Sequence, residues 1–135
     1  MTGKTGAKKN GALILVAEDD GQSRRGLVRF LNSQGHDVVE AADGRAAIAL
    51  ARERKPDIML LDLAMPGKDG LEVLKELVPV LPDTGFIIVT GNEDEKVAGA
   101  CLELGAFDYV PKPVDLDILS QTIEARLRLQ SHSSF

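Results

Sequence analysis

Residues 56–67, PDIMLLDLAMPG, contain four consecutive aliphatic residues followed directly by an aspartate. Two more runs of four aliphatic or aromatic residues occur at positions 13–16 and 86–89. Each run is apolar without alternation, which is typical of a strand buried on both faces of a sheet. Residues 38–39 and 107–110 predict two further strands, the second of them near an edge of the sheet.

Amphipathic stretches lie between and after these strands, and their spacing predicts five helices. Pro79 and Pro82 end the third stretch, and Gly105 ends the fourth. Five strands that alternate with five helices predict an α/β fold with a parallel sheet covered on both faces. The apolar faces of the five helices are carried by residues 27–31, 46–51, 71–78, 97–104 and 116–127.

The overall composition is that of one globular domain. The chain has 135 residues, a net charge of −5, 44% hydrophobic residues and 27% charged residues, which excludes a disordered or collagen-like chain. It contains no apolar run of about 18 residues, so we expect no membrane-spanning helix and no membrane partner. The acidic balance argues against nucleic-acid binding by this chain itself, and the single cysteine fits a reducing cytoplasm.

We expect one domain over residues 12–130, with a flexible segment at residues 1–11 and a tail at residues 131–135. The first segment is rich in Gly, Lys and Thr and lacks the apolar stretch of a secretory signal. Gly3, Lys4 and Thr5 resemble the end of a phosphate-binding loop, but neither the strand nor the earlier glycine that such a loop needs precedes them.

Polar residues follow the predicted strands at the points where the strands end. Because ligands of an open parallel sheet bind at the carboxyl ends of its strands, we expect these residues to share one site. Several carboxylates, one hydroxyl and one ammonium group would then meet at the same rim. The residues are Glu18, Asp19 and Asp20 after the first strand, Asp62 after the third, Thr90 after the fourth and Lys112 after the fifth.

The chemistry of this set favours phosphoryl transfer with a divalent metal. Clustered carboxylates repel one another unless a cation enters, and oxygen ligands favour Mg²⁺ or Mn²⁺ over zinc. A carboxylate such as Asp62 can attack phosphorus and form an aspartyl phosphate, while the metal and Lys112 neutralise the phosphoryl oxygens and Thr90 binds one of them. Taken singly, Asp19 or Asp20 could simply cap the next helix, and Lys112 could be a solvated loop residue.

Four stretches together make the chain resemble the receiver domain of two-component response regulators over about residues 12–130. They are residues 13–20, 56–70, 88–91 and 105–113. The resemblance implies a flavodoxin-like doubly wound sheet of strand order 2-1-3-4-5. It also implies phosphorylation of one aspartate by a sensor histidine kinase or a phosphotransfer protein.

By match to that family, Asp62 is the phosphoacceptor. Asp19 and Asp62 match the direct Mg²⁺ ligands, and Glu18 matches an acidic residue that acts through water. The backbone carbonyl of Ala64 matches the third protein ligand. Ala64 and Asn92 also occupy the two variable positions that, in the family, tune hydrolysis of the phosphate.

The resemblance also implies a switch. Thr90 matches the hydroxyl that binds the phosphoryl group and moves with it, and Tyr109 matches an aromatic residue that turns inward on activation. Lys112 matches the ion-pairing lysine, and the Lys112–Pro113 bond matches a cis peptide of the family. The switching surface would comprise the fourth helix, the fifth strand and the fifth helix. A homodimer through that surface is a further option.

Three other functions compete with this interpretation. A flavodoxin needs a hydroxyl- and glycine-rich loop after the first strand, where Glu18, Asp19 and Asp20 would repel a flavin phosphate. A phosphatase of the haloacid dehalogenase type needs a second aspartate two residues after the nucleophile, where Ala64 stands. A receiver-like interaction module that phosphate does not control is the third, and the presence of the acidic pair, Asp62, Thr90 and Lys112 argues against it. We therefore expect a signalling phosphoacceptor rather than an enzyme, which acts on a downstream protein partner or on an output domain missing from this chain.

Overall fold

A computed structural model of the chain describes residues 11–91 and 95–133. The first ten residues of the predicted flexible segment, the variable position Asn92 and the last two residues of the predicted tail lie outside this part of the chain. Across the described ranges, no helix is both long enough and apolar enough to cross a membrane.

The described residues form one sheet of five parallel strands. The strand order is β2-β1-β3-β4-β5, which confirms the order 2-1-3-4-5 and places the fifth strand at an edge. The two strands with the weakest sequence signal differ from the prediction in their bounds: β2 extends to the polar residues Asp37 and Glu40, and β5 is shifted by one residue, from 107–110 to 108–111. The strands are β1 (Leu13–Ala17), β2 (Asp37–Ala41), β3 (Ile58–Leu61), β4 (Gly85–Thr90) and β5 (Asp108–Pro111).

Helices follow every strand, as the alternation predicts. Three of them begin directly after an aspartate, namely Asp20, Asp43 and Asp69, whose side chain accepts a hydrogen bond from a backbone N–H of the first turn. The helices are α1 (Gly21–Ser33), α2 (Gly44–Arg54), α3 (Gly70–Leu77), α4 (Glu95–Leu104) and α5 (Leu116–Ser133).

Successive residues of each central strand point to opposite sides of the sheet, and both faces are buried because helices cover each of them. One face packs against α1 and α5. Its buried residues include Ile14, Val16, Leu60 and Ile87 of the strands, Leu31 of α1 and Ile123 of α5. The other face packs against α2, α3 and α4. Its buried residues include Leu15, Met59, Leu61, Ile88, Ala47, Leu74 and Cys101.

α3 and α4 end where the proline and glycine residues of the sequence predict. α3 ends at Leu77, ahead of Pro79, and α4 ends at Leu104, followed by Gly105 with a φ of 117°. α5 continues to Ser133, so the chain stays helical for three residues beyond the predicted domain boundary at residue 130. The buried Cys101 is a core residue, and its burial raises the pKa of the thiol.

Candidate phosphoacceptor and metal site

The parallel register brings the predicted site residues to one end of the sheet. Ala17, the last residue of β1, lies beside Leu61, the last residue of β3, so Glu18 and Asp62 follow neighbouring strands. The backbone N–H of Asp62 donates to the carbonyl of Ala17 at 3.0 Å, which continues the ladder by one step. Strand pairing therefore sets the backbone positions of Glu18 and Asp62, from which both side chains extend.

The pairing of β4 with β5 places Lys112 at the same end of the sheet. Thr90 at the end of β4 lies beside Pro111 of β5, and the backbone N–H of Lys112 donates to the carbonyl of Thr90 at 3.0 Å. The next peptide bond, Lys112–Pro113, is cis, as the resemblance implies. Lys112 and Thr90 thus stand at the same rim as the carboxylates.

Lys112 joins two buried carboxylates. Its Nζ donates to Oε1 of Glu18 at 2.5 Å and to Oδ2 of Asp62 at 2.8 Å. The side chains of Glu18 and Asp62 are only 3% and 7% exposed, whereas that of Lys112 is 28% exposed. One ammonium group therefore faces two buried carboxylates, so the group of three side chains has more acidic than basic members.

Asp19 adds a third carboxylate to form what we call the acidic cluster, which consists of Glu18, Asp19 and Asp62. One carboxylate oxygen of each residue lies within 4.8 Å of the others, with Asp19 exposed to solvent. A set of hard oxygen ligands on a partly open rim suits Mg²⁺, which takes few protein ligands and keeps several waters. The donor set therefore fits a magnesium ion.

Ala64 lies beside the same carboxylate. Its backbone N–H donates to Oδ1 of Asp62 at 3.0 Å, and the residue is exposed at the rim. The two oxygens of Asp62 thus have different partners, one a backbone amide and the other the ammonium group of Lys112. These contacts hold the carboxylate in one orientation at the mouth of the site.

Burial and pairing set the charge states of the site. Burial raises the pKa of Glu18, against hydrogen bonds from Lys112 and from the backbone N–H of Asp20 that act to lower it. Burial alone would lower the pKa of Lys112, but its hydrogen bonds to Asp62 and Glu18 outweigh that effect and raise it. Lys112 therefore remains charged at neutral pH.

The two predicted switch residues lie on β4 and β5. Thr90 is 2% exposed at the carboxyl end of β4. Tyr109, which pairs with Ile88 in the ladder, is half-buried and packs against the core cluster that lies under α2, α3 and α4. Thr90 thus stands at the rim, and Tyr109 lies on the face of the sheet that α2, α3 and α4 cover.

Asp20 caps α1 and is not part of the acidic cluster. Its Oδ2 accepts a hydrogen bond from the backbone N–H of Ser23 at 2.8 Å, and this contact lowers the pKa of the exposed carboxyl group. The interpretation of Asp20 as a cap of the following helix is confirmed.

Arg24 is a site neighbour that the sequence did not reveal. Its guanidinium donates to the backbone carbonyl of Glu18 at 2.8 Å and forms an ion pair with Glu40 at 3.0 Å. On the sequence it is one of several basic residues of α1. Only the way that α1 lies on the sheet distinguishes it from the others.

Comparison with known proteins is consistent with the geometry. The family model described as "Response regulator receiver domain" matches residues 14–124. Response regulator MprA of Mycolicibacterium vanbaalenii is 41% identical over 117 residues, which cover 85% of this chain and 50% of that protein. Protein PilH of Pseudomonas aeruginosa is 38% identical over 120 residues, which cover 86% of this chain and 98% of that protein.

A solved structure agrees with these relatives. The CheY-like response regulator receiver domain protein of Methanospirillum hungatei superposes with a TM-score of 0.86 at 26% identity, covering 90% of this chain and 97% of that one. The chain spans about half the length of several curated relatives and 26% of another.

Proposed function

This chain is a receiver domain of the two-component response regulator family, and on that premise we propose that Asp62 is its phosphoacceptor. The observation that carries the proposal is the pairing of one ammonium group with two buried carboxylates at the carboxyl ends of the strands. An ordinary surface salt bridge would not bury Asp62 and Glu18 around a single lysine. Residues 12–130 would form the functional unit.

Asp62 would act as the nucleophile. Its carboxylate oxygen attacks the phosphorus of a phosphohistidine in the donor protein, a P–O bond forms and the P–N bond breaks. The imidazole nitrogen leaves with the electron pair of that bond and takes up a proton. A receiver domain implies a histidine kinase or a phosphotransfer protein as this donor.

Receiver domains bind Mg²⁺ at an acidic pocket, and the acidic cluster offers one here. Asp19 and Asp62 would ligate the ion directly, together with the backbone carbonyl of Ala64, while Glu18 would act through water. When bound, the ion neutralises charge on the phosphoryl oxygens. The pairing of Asp62 with Lys112 holds the acceptor carboxylate in place before the donor arrives.

Lys112 and Thr90 would act on the phosphorylated state. The ammonium group of Lys112 is close enough to Asp62 to pair with a phosphoryl oxygen after transfer. Thr90, which accepts a backbone hydrogen bond from Lys112 through its carbonyl, would bind a second oxygen through its hydroxyl. Movement of Thr90 would then let Tyr109 turn inward and change the surface of α4, β5 and α5.

The output of the switch is a further part of the proposal. The altered surface would control a downstream protein partner or an output domain, since this chain matches only part of several relatives. The domain would catalyse only its own phosphorylation and dephosphorylation, in the cytoplasm, and would bind no nucleic acid by itself. A homodimer through the same surface is a further option.

Incubation with acetyl phosphate and Mg²⁺, followed by intact mass measurement, tests this function. The wild-type protein is expected to gain one phosphoryl group, and removal of Mg²⁺ with EDTA is expected to prevent the gain. Asp62→Asn is expected to gain none, whereas Asp57→Asn, which changes a carboxyl group at the other end of β3, is expected to behave as wild type. Equal labelling of wild type and Asp62→Asn would favour an interaction module that phosphate does not control.

A further inference from the structure

The start of α2 lies against the segment that follows Asp62. We call residues 63–69, between β3 and α3, the acceptor loop. A Cβ atom added to Gly44 would lie 2.1 Å from the backbone oxygen of Lys68 and 2.9 Å from its carbonyl carbon. The backbone N–H of Gly44 also donates to the carbonyl of Pro66 at 3.4 Å. Only a glycine allows α2 and the acceptor loop to approach this closely.

The acceptor loop is held at further points. The side chain of Met65 is only 7% exposed and packs into the core under α2 and α3. At the far end, the backbone N–H of Gly70 donates to the carbonyl of Leu63 at 2.9 Å, and a Cβ on Gly70 would lie 2.5 Å from the Cα of Leu63. Ala64 is therefore confined between fixed points on both sides.

We propose that Gly44 is a positioning residue for the magnesium site. By letting α2 pack directly on the backbone of Lys68, it fixes the acceptor loop so that the backbone of Ala64 stays beside Asp62. This inference rests on the proposed function, because it assumes that the acidic cluster binds Mg²⁺. Gly44 itself touches neither the ion nor the carboxylates.

The direct test is Gly44→Ala. The clash involves backbone atoms of Lys68, which no side-chain rotation can move, so either the loop or α2 must shift. Supporting contacts of this kind typically change metal affinity about 10- to 100-fold, and we expect the affinity for Mg²⁺ to fall by roughly tenfold or more. Calorimetric titration with Mg²⁺ measures the affinity, and faster amide exchange over residues 63–69 in metal-free protein reports the loosened loop.

Two glycine variants separate positioning from general damage. At Gly26, in α1, an added Cβ meets no described heavy atom within 4 Å apart from its chain neighbours and the nearby backbone of its own helix, so Gly26→Ala should bind Mg²⁺ as wild type. At Gly85 an added Cβ would lie 2.4 Å from the side chain of Arg126, at the opposite end of the sheet. Gly85→Ala should therefore lower stability and leave the affinity for Mg²⁺ unchanged.

A second pair of variants avoids the risk that Gly44→Ala fails to fold. Lys68→Ala and Lys68→Gly both remove the ammonium group that pairs with Glu76, so they differ only in the Cβ atom of residue 68, whose absence in Lys68→Gly gives the loop more backbone freedom. We expect Lys68→Gly to bind Mg²⁺ several-fold more weakly than Lys68→Ala. Equal affinities of these two proteins would overturn the proposal.

The outcomes distinguish this inference from the function on which it rests. If the wild-type protein does not bind Mg²⁺, the proposed function itself fails. If the wild type binds Mg²⁺ and a folded Gly44→Ala binds equally well, only the role of Gly44 is lost. A loss of affinity that Gly85→Ala shares would also overturn it, since general destabilisation would then explain the effect.

Discussion

The two ends of the sheet use polar side chains in opposite ways. At the amino end, residues that precede the strands bind the backbone: Oδ2 of Asp57 accepts from the N–H of Leu13 at 2.8 Å, and Nδ1 of His36 accepts from the N–H of Ala12 at 3.0 Å. At the carboxyl end, the buried side chains bind one another through Lys112.

The difference separates stability from function. At the amino end each side chain named above satisfies a backbone donor that would otherwise lack a partner at the start of β1, so its loss should affect folding alone. At the carboxyl end the acidic cluster has more negative than positive charge, so its stability depends on a cation. Substitutions at the two ends should therefore respond differently to Mg²⁺.

Lys112→Met is expected to have the largest effect on stability. Without Lys112, Glu18 and Asp62 remain buried without their shared counter-charge. Loss of one partner of a buried pair costs about 3–5 kcal/mol, and because Lys112 is 28% exposed we expect roughly 2–3 kcal/mol of unfolding free energy to be lost. Urea denaturation in metal-free buffer measures the loss.

Added Mg²⁺ sharpens this prediction. An ion that binds the folded state stabilises it, and the variant lacks the competing ammonium group, so Mg²⁺ should stabilise Lys112→Met more than wild type. Lys75→Met removes a lysine from the exposed side of α3 and should change neither quantity by much. The same Mg²⁺ response in all three proteins would show that Lys112 does not balance the acidic cluster.

Asp57→Ala is expected to have a smaller effect, on stability alone. The backbone N–H of Leu13 loses its acceptor, and an unsatisfied, partly buried donor costs about 1–2 kcal/mol of unfolding free energy. Denaturation gives the stability, and titration with Mg²⁺ should give the wild-type affinity. Asp57→Asn retains a side-chain oxygen that can accept the bond and should recover most of the loss; a change in Mg²⁺ affinity would contradict the separation of the two ends.

The sequence predicted most of the carboxyl end because the apolar runs and the polar residues that directly follow them are local signals, whereas the strand order came from the resemblance to a known family. Apolar runs locate the strands, and in a parallel sheet the residues that follow them must share one rim. Glu18, Asp19 and Asp62 were found in this way, and the structure brings their carboxylates together. The choice of Asp20 over Asp19 as the helix cap needed the backbone geometry of the turn.

The contacts that the sequence missed depend on how the helices pack against the sheet and its loops. Gly44 and Lys68 meet only because α2 packs beside the acceptor loop, and Arg24 reaches Glu18 only through the placement of α1. Asp57 and His36 look like ordinary polar residues before strands. Periodicity reports which face of an element is buried, but it does not report which neighbour that face meets.

His36→Gln is expected to have the smallest effect, and that effect depends on pH. Burial lowers the pKa of His36 below its usual value of about 6.5, against smaller effects of the carboxylates of Glu124 and Asp57 that raise it. The folded state therefore holds His36 neutral, with Nδ1 free to accept from Ala12, while the unfolded chain takes up a proton more readily. This contribution to stability is complete above about pH 6.5 and is lost as the pH falls toward the lowered pKa.

The hydrogen bond between His36 and the backbone of Ala12 should therefore weaken in mild acid. Gln offers an oxygen acceptor that does not titrate, so the difference in unfolding free energy between wild type and His36→Gln should shift in favour of the variant between pH 7.5 and 5.5. The second histidine, His132, and all carboxyl groups are present in both proteins, so their shared contributions cancel in the difference. A difference that stays constant over this range would mean that His36 titrates alike in the folded and unfolded chains, and that its bond to Ala12 does not depend on the neutral ring.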